Sequence, residues 1–185
     1  MGAMTYSIDD IERLLASGAD RPVEIADADP SEEMPFTHLD HARQTAAVLR
    51  EWVPDDDELV VAGLVHDIGH LLPGVGDAAH AVAGAQVVRA ALGERIASLV
   101  GLHVEAKRYL VARQGAYAGE LAADSVASLA LQGGPMSAEE QLAFAALAHA
   151  QDALTLRRAD ESGKVDGLVV PELGEWMDAM RQLPR

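Results

Sequence analysis

Apolar positions recur along this chain at spacings of three and four, between residues that start and stop helices. Ser7-Ile8-Asp9-Asp10 predicts a helix start with Ser7 as N-cap, and the helix runs through Leu15 to a stop near Gly18. Residues 19–36, rich in Asp, Glu and Pro, read as an extended loop. Thr37-His38-Leu39-Asp40 is a second capping signature and opens a helix to about Trp52, with Pro54 as the stop. Asp55, Asp56 and Asp57 suit the positive N-terminal end of a third helix. Its body, Leu59 to Val65, is apolar on nearly every side, which marks it as central.

Gly69 is expected to end or bend this central helix, and Pro73 to Gly76 to form a turn. Asp77 reads as the cap of a fourth helix to about Leu92, and Gly93 separates that helix from a fifth containing His103. Leu121 to Leu131 reads as helix, broken by Gly133-Gly134-Pro135. Ser137-Ala138-Glu139-Glu140 is a third capping box, expected to open one long helix reaching about Arg158. Asp160 to Gly167 reads as a loop, and Pro171 starts a last short helix with Trp176 and Met180 on one face. Seven or so helices with short connections predict an all-α, compact helical bundle. Abundant alanine and few aromatics point the same way. A length of 185 residues suits one domain.

Composition narrows the chemistry. There is no cysteine, so disulfides, zinc–thiolate sites and iron–sulfur clusters are excluded, and any metal site must use His and carboxylates. Lys and Arg number 14 against 30 Asp and Glu, a formal net charge of −16, which argues against general nucleic-acid affinity. An anionic substrate would need a local cluster of cations. Apolar runs are short and interrupted by charge, so no membrane span is expected. The N-terminus shows no basic region followed by an apolar stretch, so the expectation is a cytoplasmic protein. Nothing in the pattern specifies an oligomeric state.

The sharpest feature is His66-Asp67-Ile68-Gly69-His70 at the end of the most apolar helix. Burying imidazoles and a carboxylate there is costly unless they are bonded or hold a metal. Three more histidines, His41, His80 and His103, fall on three other expected helices. One His per helix around a central helix is a way for helical domains to build metal centres. Imidazole and carboxylate without thiolate suit iron, manganese or zinc. A His-Asp pair alone also occurs as a satisfied polar cluster. His38 shares a helix face with His41, so spacing leaves either as the ligand. His149 reads as structural. Lys107 lies one turn after His103 and points the same way, although a surface lysine paired with Glu105 is the plainer reading. Asp160 could complete a metal shell while Arg157, three residues earlier, faces an anion. Asp152 is the competing carboxylate.

Val61 to His70 resembles the core motif of the HD superfamily. Leu102 to Val111, Gln132 to Met136 and Arg157 to Lys164 are more specific. They resemble the HD-domain mixed-valent di-iron oxygenases that cleave carbon–phosphorus bonds, relatives of myo-inositol oxygenase. The resemblance runs from about Leu39 to Pro171. It implies a single HD domain over residues 1–185 with a core at about 37–165. It also implies two iron ions, Fe(II)/Fe(III), with dioxygen as co-substrate and a small anionic organophosphonate as substrate. His41, His66 and Asp160 match ligands of one iron, His80 and His103 match ligands of the other, and Asp67 matches the bridging carboxylate. His70, Lys107, Ser125, Ser128 and Arg157 match positions that hold the phosphonate, with Ser128 standing where a relative has threonine. Asp67, His70 and Lys107 are the expected catalytic group.

Two departures bear on the substituent end of the pocket. The loop between His70 and His80 is shorter than in the best-known relatives, and the segment before His41 lacks the family's tyrosine. Glu33, with one residue inserted, stands for a family glutamate that contacts substrate. With Glu32 it would favour an amino- or ammonium-bearing substituent. The implied reaction turns a 1-hydroxyalkylphosphonate into a carboxylate and inorganic phosphate. Its rivals are a metal-dependent HD phosphohydrolase acting on a phosphate ester and a non-catalytic metal-bound interaction domain.

Overall fold

A computed structural model describes residues 5–23, 37–119, 121–165 and 168–184. Nine α-helices and no extended strand occur among them. They are α1 (Ile8–Ser17), α2 (His38–Trp52), α3 (Asp57–Val65), α4 (His80–Leu92), α5 (Glu94–Arg113), α6 (Ala123–Leu131), α7 (Ala138–Ala145), α8 (Ala150–Ser162) and α9 (Leu173–Arg181). None is long and apolar enough to cross a membrane. The capping boxes at Ser7, Thr37 and Ser137 all form, each hydroxyl accepting from the backbone N–H three residues on.

Helix α3 is the axis of the core. Every residue from Leu59 to Val65 is buried, and α2, α5, α8 and α9 pack around it. The apolar pattern of this segment has no polar face because the helix has no face turned to water. Helices α4 and α5 form an adjacent pair, joined at Gly93, whose φ of 88° is a conformation that favours glycine.

Four local expectations are corrected. The central helix ends at Val65, and Gly69 lies inside a following 3-10 turn, Ile68–Leu71. Its φ is not positive. A Cβ there would instead lie 2.0 Å from the His80 carbonyl oxygen, so the requirement is close approach of two backbones. Asp77 is not a side-chain cap: α4 begins at His80 with Ala79 as an uncapped N-cap residue. The long helix after Ser137 is two helices with a turn at residues 146–149. No Gly or Pro marks this break. Packing sets it, because α7 anchors Phe144 against Tyr109 while α8 realigns along α5 and α2. Finally, α8 continues to Ser162, so Asp160 projects from the last turn of a helix and not from a loop.

Candidate metal centre

Four histidines converge on Asp67 from four elements. His41 comes from the first turn of α2, His66 from the end of α3, His80 from the first residue of α4 and His103 from the middle of α5. All four are buried. Each ring spends its Nδ1–H on a backbone carbonyl: His41 on Gly163 at 2.8 Å, His66 on Gly63 at 2.8 Å, His80 on Asp77 at 2.7 Å and His103 on Val100 at 2.7 Å. A carbonyl can only accept, so the Nδ1 proton is fixed and the Nε2 lone pair is turned inward.

Those lone pairs sort into two sets. Asp67 Oδ2 is 3.7 Å from His41 Nε2 and 3.5 Å from His66 Nε2. Asp67 Oδ1 is 3.5 Å from both His80 Nε2 and His103 Nε2. Asp160 adds a carboxylate to the first set, 3.2 Å from His41 and 3.8 Å from His66. One carboxylate therefore offers one oxygen to each set. The described donor atoms of His41, His66 and Asp160 lie within 4.8 Å of one another, as do those of Asp67, His70 and His80. His103 joins the latter through its contacts with His80 and Asp67.

Two features show that this donor set fits a metal. His66 Nε2 is a buried nitrogen with no hydrogen-bond partner. The Nε2 atoms of His80 and His103 lie 2.9 Å apart although both rings already place a proton on Nδ1. Two lone pairs at that distance repel unless a cation or proton lies between them. Burial lowers the pKa of His66 and drives that of His103 well below the usual imidazole value, which keeps both neutral and basic toward a metal. Burial also opposes charge on Asp67 and Asp160. The imidazoles around Asp67, led by His66, outweigh it there, and Arg157 leads at Asp160, so both carboxyls lie well below the ordinary range.

The centre opens into a cavity of about 310 Å³. Asp67, His80, His103 and Asp160 form its metal-site wall, and His70, Lys107, Ser125, Ser128 and Arg157 also line it. His70 stacks on His80, with ring centroids 3.9 Å apart, and its Nδ1 is 3.7 Å from Asp77. Lys107 donates to Ser128 Oγ at 2.8 Å. Burial, then the neighbouring Arg157 cation, brings the Lys107 pKa down to about 8. Arg157 differs from an open anion receptor. Its Nε donates to Tyr117 Oη at 3.0 Å, Nη1 pairs with Asp160, and Nη2 serves both Ser125 Oγ and Glu161.

His38 lines the cavity beside His70 but makes no contact with Asp67 comparable to that of His41, which separates the two histidines that spacing left equivalent. His149 stands at the start of α8 and Asp152 binds Arg95, both away from the centre. Glu32 and Glu33 lie outside the described residues. Lys164, Arg21 and Glu161 are not among the site residues that the sequence suggests, yet they stand at or directly behind the cavity wall. Lys164 lines the cavity and donates to Ser125 Oγ at 3.0 Å. Its signal was its place at the end of the Arg157 to Lys164 motif. Arg21 reaches the same cavity because its carbonyl accepts the His38 N–H at 2.9 Å, a long-range tie with no sequence signature. In a chain of net charge −16, Arg21, Lys107, Arg157 and Lys164 gather at this one opening.

Comparison with known proteins agrees with this geometry. The HD-domain family profile matches residues 38–154. The chain is 36% identical over 157 residues to a [1-hydroxy-2-(trimethylamino)ethyl]phosphonate dioxygenase (glycine-betaine-forming) of Leisingera caerulea, covering 80% of each protein. It is 37% identical over 149 residues to a hydroxymethylphosphonate dioxygenase of Gimesia maris, covering 76% of this chain and 74% of that protein. A shorter stretch of 48 residues is 44% identical to a probable inositol oxygenase of Oryza sativa, covering 26% of this chain and 15% of the relative. The chain belongs to the HD-domain family, within the oxygenase branch that holds these phosphonate dioxygenases.

Proposed function

We propose that the protein is a di-iron oxygenase that cleaves the C–P bond of a small 1-hydroxyalkylphosphonate, giving a carboxylate and inorganic phosphate. The observation that carries this reading is the pairing of inward Nε2 atoms on the two oxygens of Asp67, beside a cavity lined by cations. In it, His41, His66 and Asp160 would hold one iron and His80 and His103 the other, with Asp67 offering one carboxylate oxygen to each set. Metal binding and use of dioxygen follow from the donor set and the named relatives; the choice of iron and the count of two belong to this proposal. Bound there, an Fe(II)/Fe(III) pair supplies the redox chemistry that couples dioxygen to oxidation at C1.

The protein's own groups have separate tasks. Lys107, anchored on Ser128, and Lys164, anchored on Ser125, place two ammonium groups where a phosphonate dianion needs charge-assisted hydrogen bonds. An arriving dianion favours the charged form of Lys107 and so holds its proton on Nζ. His70, with a pKa lowered to about 4 chiefly by burial, stays neutral at the cavity wall and can hydrogen-bond the substrate without adding charge. The substrate hydroxyl and phosphonate leave the cavity as carboxylate and phosphate, with one dioxygen consumed and one proton released. This reading takes residues 1–185 as a single HD domain.

The test is anaerobic purification after iron-replete expression, metal analysis, and oxygen uptake with a panel of 1-hydroxyphosphonates. About two irons per chain and one dioxygen consumed per phosphate released are expected. Phosphate release from an ester without dioxygen would instead identify a hydrolase.

A further inference from the structure

With 14 Lys and Arg among 30 Asp and Glu, an arginine with no carboxylate beside it stands out in this chain. Arg43, Arg95 and Arg108 show the common case, pairing with Glu172, Asp56 and Glu140. Arg21 differs: among the described residues it has no ion-pair partner. The other cavity cations are engaged, Lys107 by Ser128, Lys164 by Ser125, and Arg157 by Asp160 and Glu161. The backbone puts Arg21 at the cavity. Its carbonyl accepts the His38 N–H at 2.9 Å, and Pro22 pairs with Thr37 in an antiparallel bridge. These contacts pin residues 21–23 to the start of α2, so Arg21, Val23 and His38 line the cavity together. Burial and then the Arg157 and Lys164 cations lower the Lys107 pKa, whereas Arg21 acts on His38, whose pKa burial already lowers. The His38 ring is therefore neutral and leaves the Arg21 charge uncompensated. Asp77, the lining carboxylate outside the metal set, lies 3.7 Å from His70 Nδ1 and forms no ion pair with Arg21.

We propose that Arg21 is a specificity-determining residue that binds a carboxylate on the C1 substituent, so that the substrate class is a carboxylate-bearing 1-hydroxyalkylphosphonate. This rests on the reading of the cavity as a phosphonate site. It is opposite in sign to the cationic substituent suggested by Glu32 and Glu33. A guanidinium presents paired N–H donors that match a carboxylate, and Arg21 need break no ion pair to use them. The same charge repels an ammonium substituent. The reaction keeps its balance: dioxygen is reduced, the C–P bond breaks, and C1 becomes the second carboxylate of a dicarboxylate, with phosphate and one proton released.

The test is kcat/KM for phosphate release by the iron-loaded protein with 2-carboxy-1-hydroxyethyl-, 1-hydroxypropyl- and 2-amino-1-hydroxyethylphosphonate. These share the C1 hydroxyl and phosphonate and carry a negative, neutral or positive group on C2. The carboxylate-bearing substrate is expected to exceed the neutral one by about three- to tenfold, a modest range because Arg21 is exposed. The amino-bearing substrate is expected to be the poorest. Arg21→Gln is expected to remove the preference, and Arg21→Lys to keep part of it. An exposed side chain without an ion pair contributes little to folding, so Tm is expected to hold in both variants. A preference for the amino-bearing substrate overturns the proposal, as does an unchanged ratio in Arg21→Gln. Equal losses for all three substrates in Arg21→Gln would assign Arg21 to the phosphonate and overturn it too. No turnover of any of the three removes the phosphonate reading and this proposal together, whereas oxygen-dependent phosphate release without a carboxylate preference removes this proposal alone.

Discussion

Replacing Gly69 by alanine is expected to separate the two halves of the centre. A methyl at Gly69 would lie 2.0 Å from the His80 carbonyl oxygen, 2.6 Å from its carbonyl carbon and 2.8 Å from its Cα. These are backbone atoms of the first turn of α4, so no side-chain rotation relieves the contact. The backbone at His80 must retreat by roughly 1 Å to restore van der Waals separation. Overpacking of this kind costs about 1–3 kcal/mol. For a chain of this length that lowers Tm by about 2–12 °C. The effect on metal is sharper, because ligand distances tolerate shifts of only about 0.2 Å. His80 moves with the turn, while His41, His66 and Asp160 are carried by other helices. The Gly69→Ala protein is therefore expected to fold, to hold about one iron and to lose the spectroscopic signature of a coupled pair. Elemental analysis with Mössbauer spectroscopy on iron-loaded protein reads this directly. Two tightly held irons together with an unchanged Tm would refute both the close-approach argument and the place of His80 in the centre.

Four further substitutions and one titration extend the case. Asp67→Ala is expected to abolish retention of both irons, whereas His103→Ala mainly empties one position; a normal coupled pair in Asp67→Ala would sink the bridging assignment. Lys107→Ala should weaken substrate binding by about 1.5–3 kcal/mol with iron retained. Arg157→Ala should lose iron as well, because Asp160 and Glu161 would be left buried without their counter-ion, at a cost of about 3–5 kcal/mol. Full iron content in Arg157→Ala would show that Asp160 is held by other means. Because the Lys107 ammonium is the form that binds a dianion, substrate affinity should fall as pH rises through about 8. Lys107→Met should flatten that limb, and an unchanged limb would assign the titration elsewhere.

The parts of this architecture that were readable in the sequence are those governed by neighbours in the chain. Ser7, Thr37 and Ser137 announce their helices because an N-cap and its partner lie three residues apart. Leu59 to Val65 announces the core because no polar residue interrupts it. A motif and a resemblance name the six donor residues His41, His66, Asp67, His80, His103 and Asp160, and these come together in space. The unreadable parts depend on distant contacts. The turn at residues 146–149 has no breaker residue, and only packing around α8 requires it. The commitment of Arg157 to Asp160 and Glu161 could not be separated from an anion-facing role by spacing alone. The same holds for Gly69, whose need is met only when α4 has docked.

The carbonyls that orient the four histidines also bear on the order in which the centre can assemble. His66, His80 and His103 each bond a carbonyl three residues earlier in their own segment. Their rings are aimed as soon as the local turn exists, and residues 66–103 need close only short loops to bring them together. His41 is aimed by Gly163, 122 residues away, and only a glycine fits there, since a Cβ would lie 2.8 Å from the Thr45 backbone nitrogen. Closing so long a loop is entropically the later event. The His80–His103 side can therefore form from residues 66–103, while the His41–Asp160 side needs α8 docked on α2. A first ion captured early would add its binding energy to the folding of the remainder, so loading and folding of this protein are expected to proceed from the middle of the sequence outward.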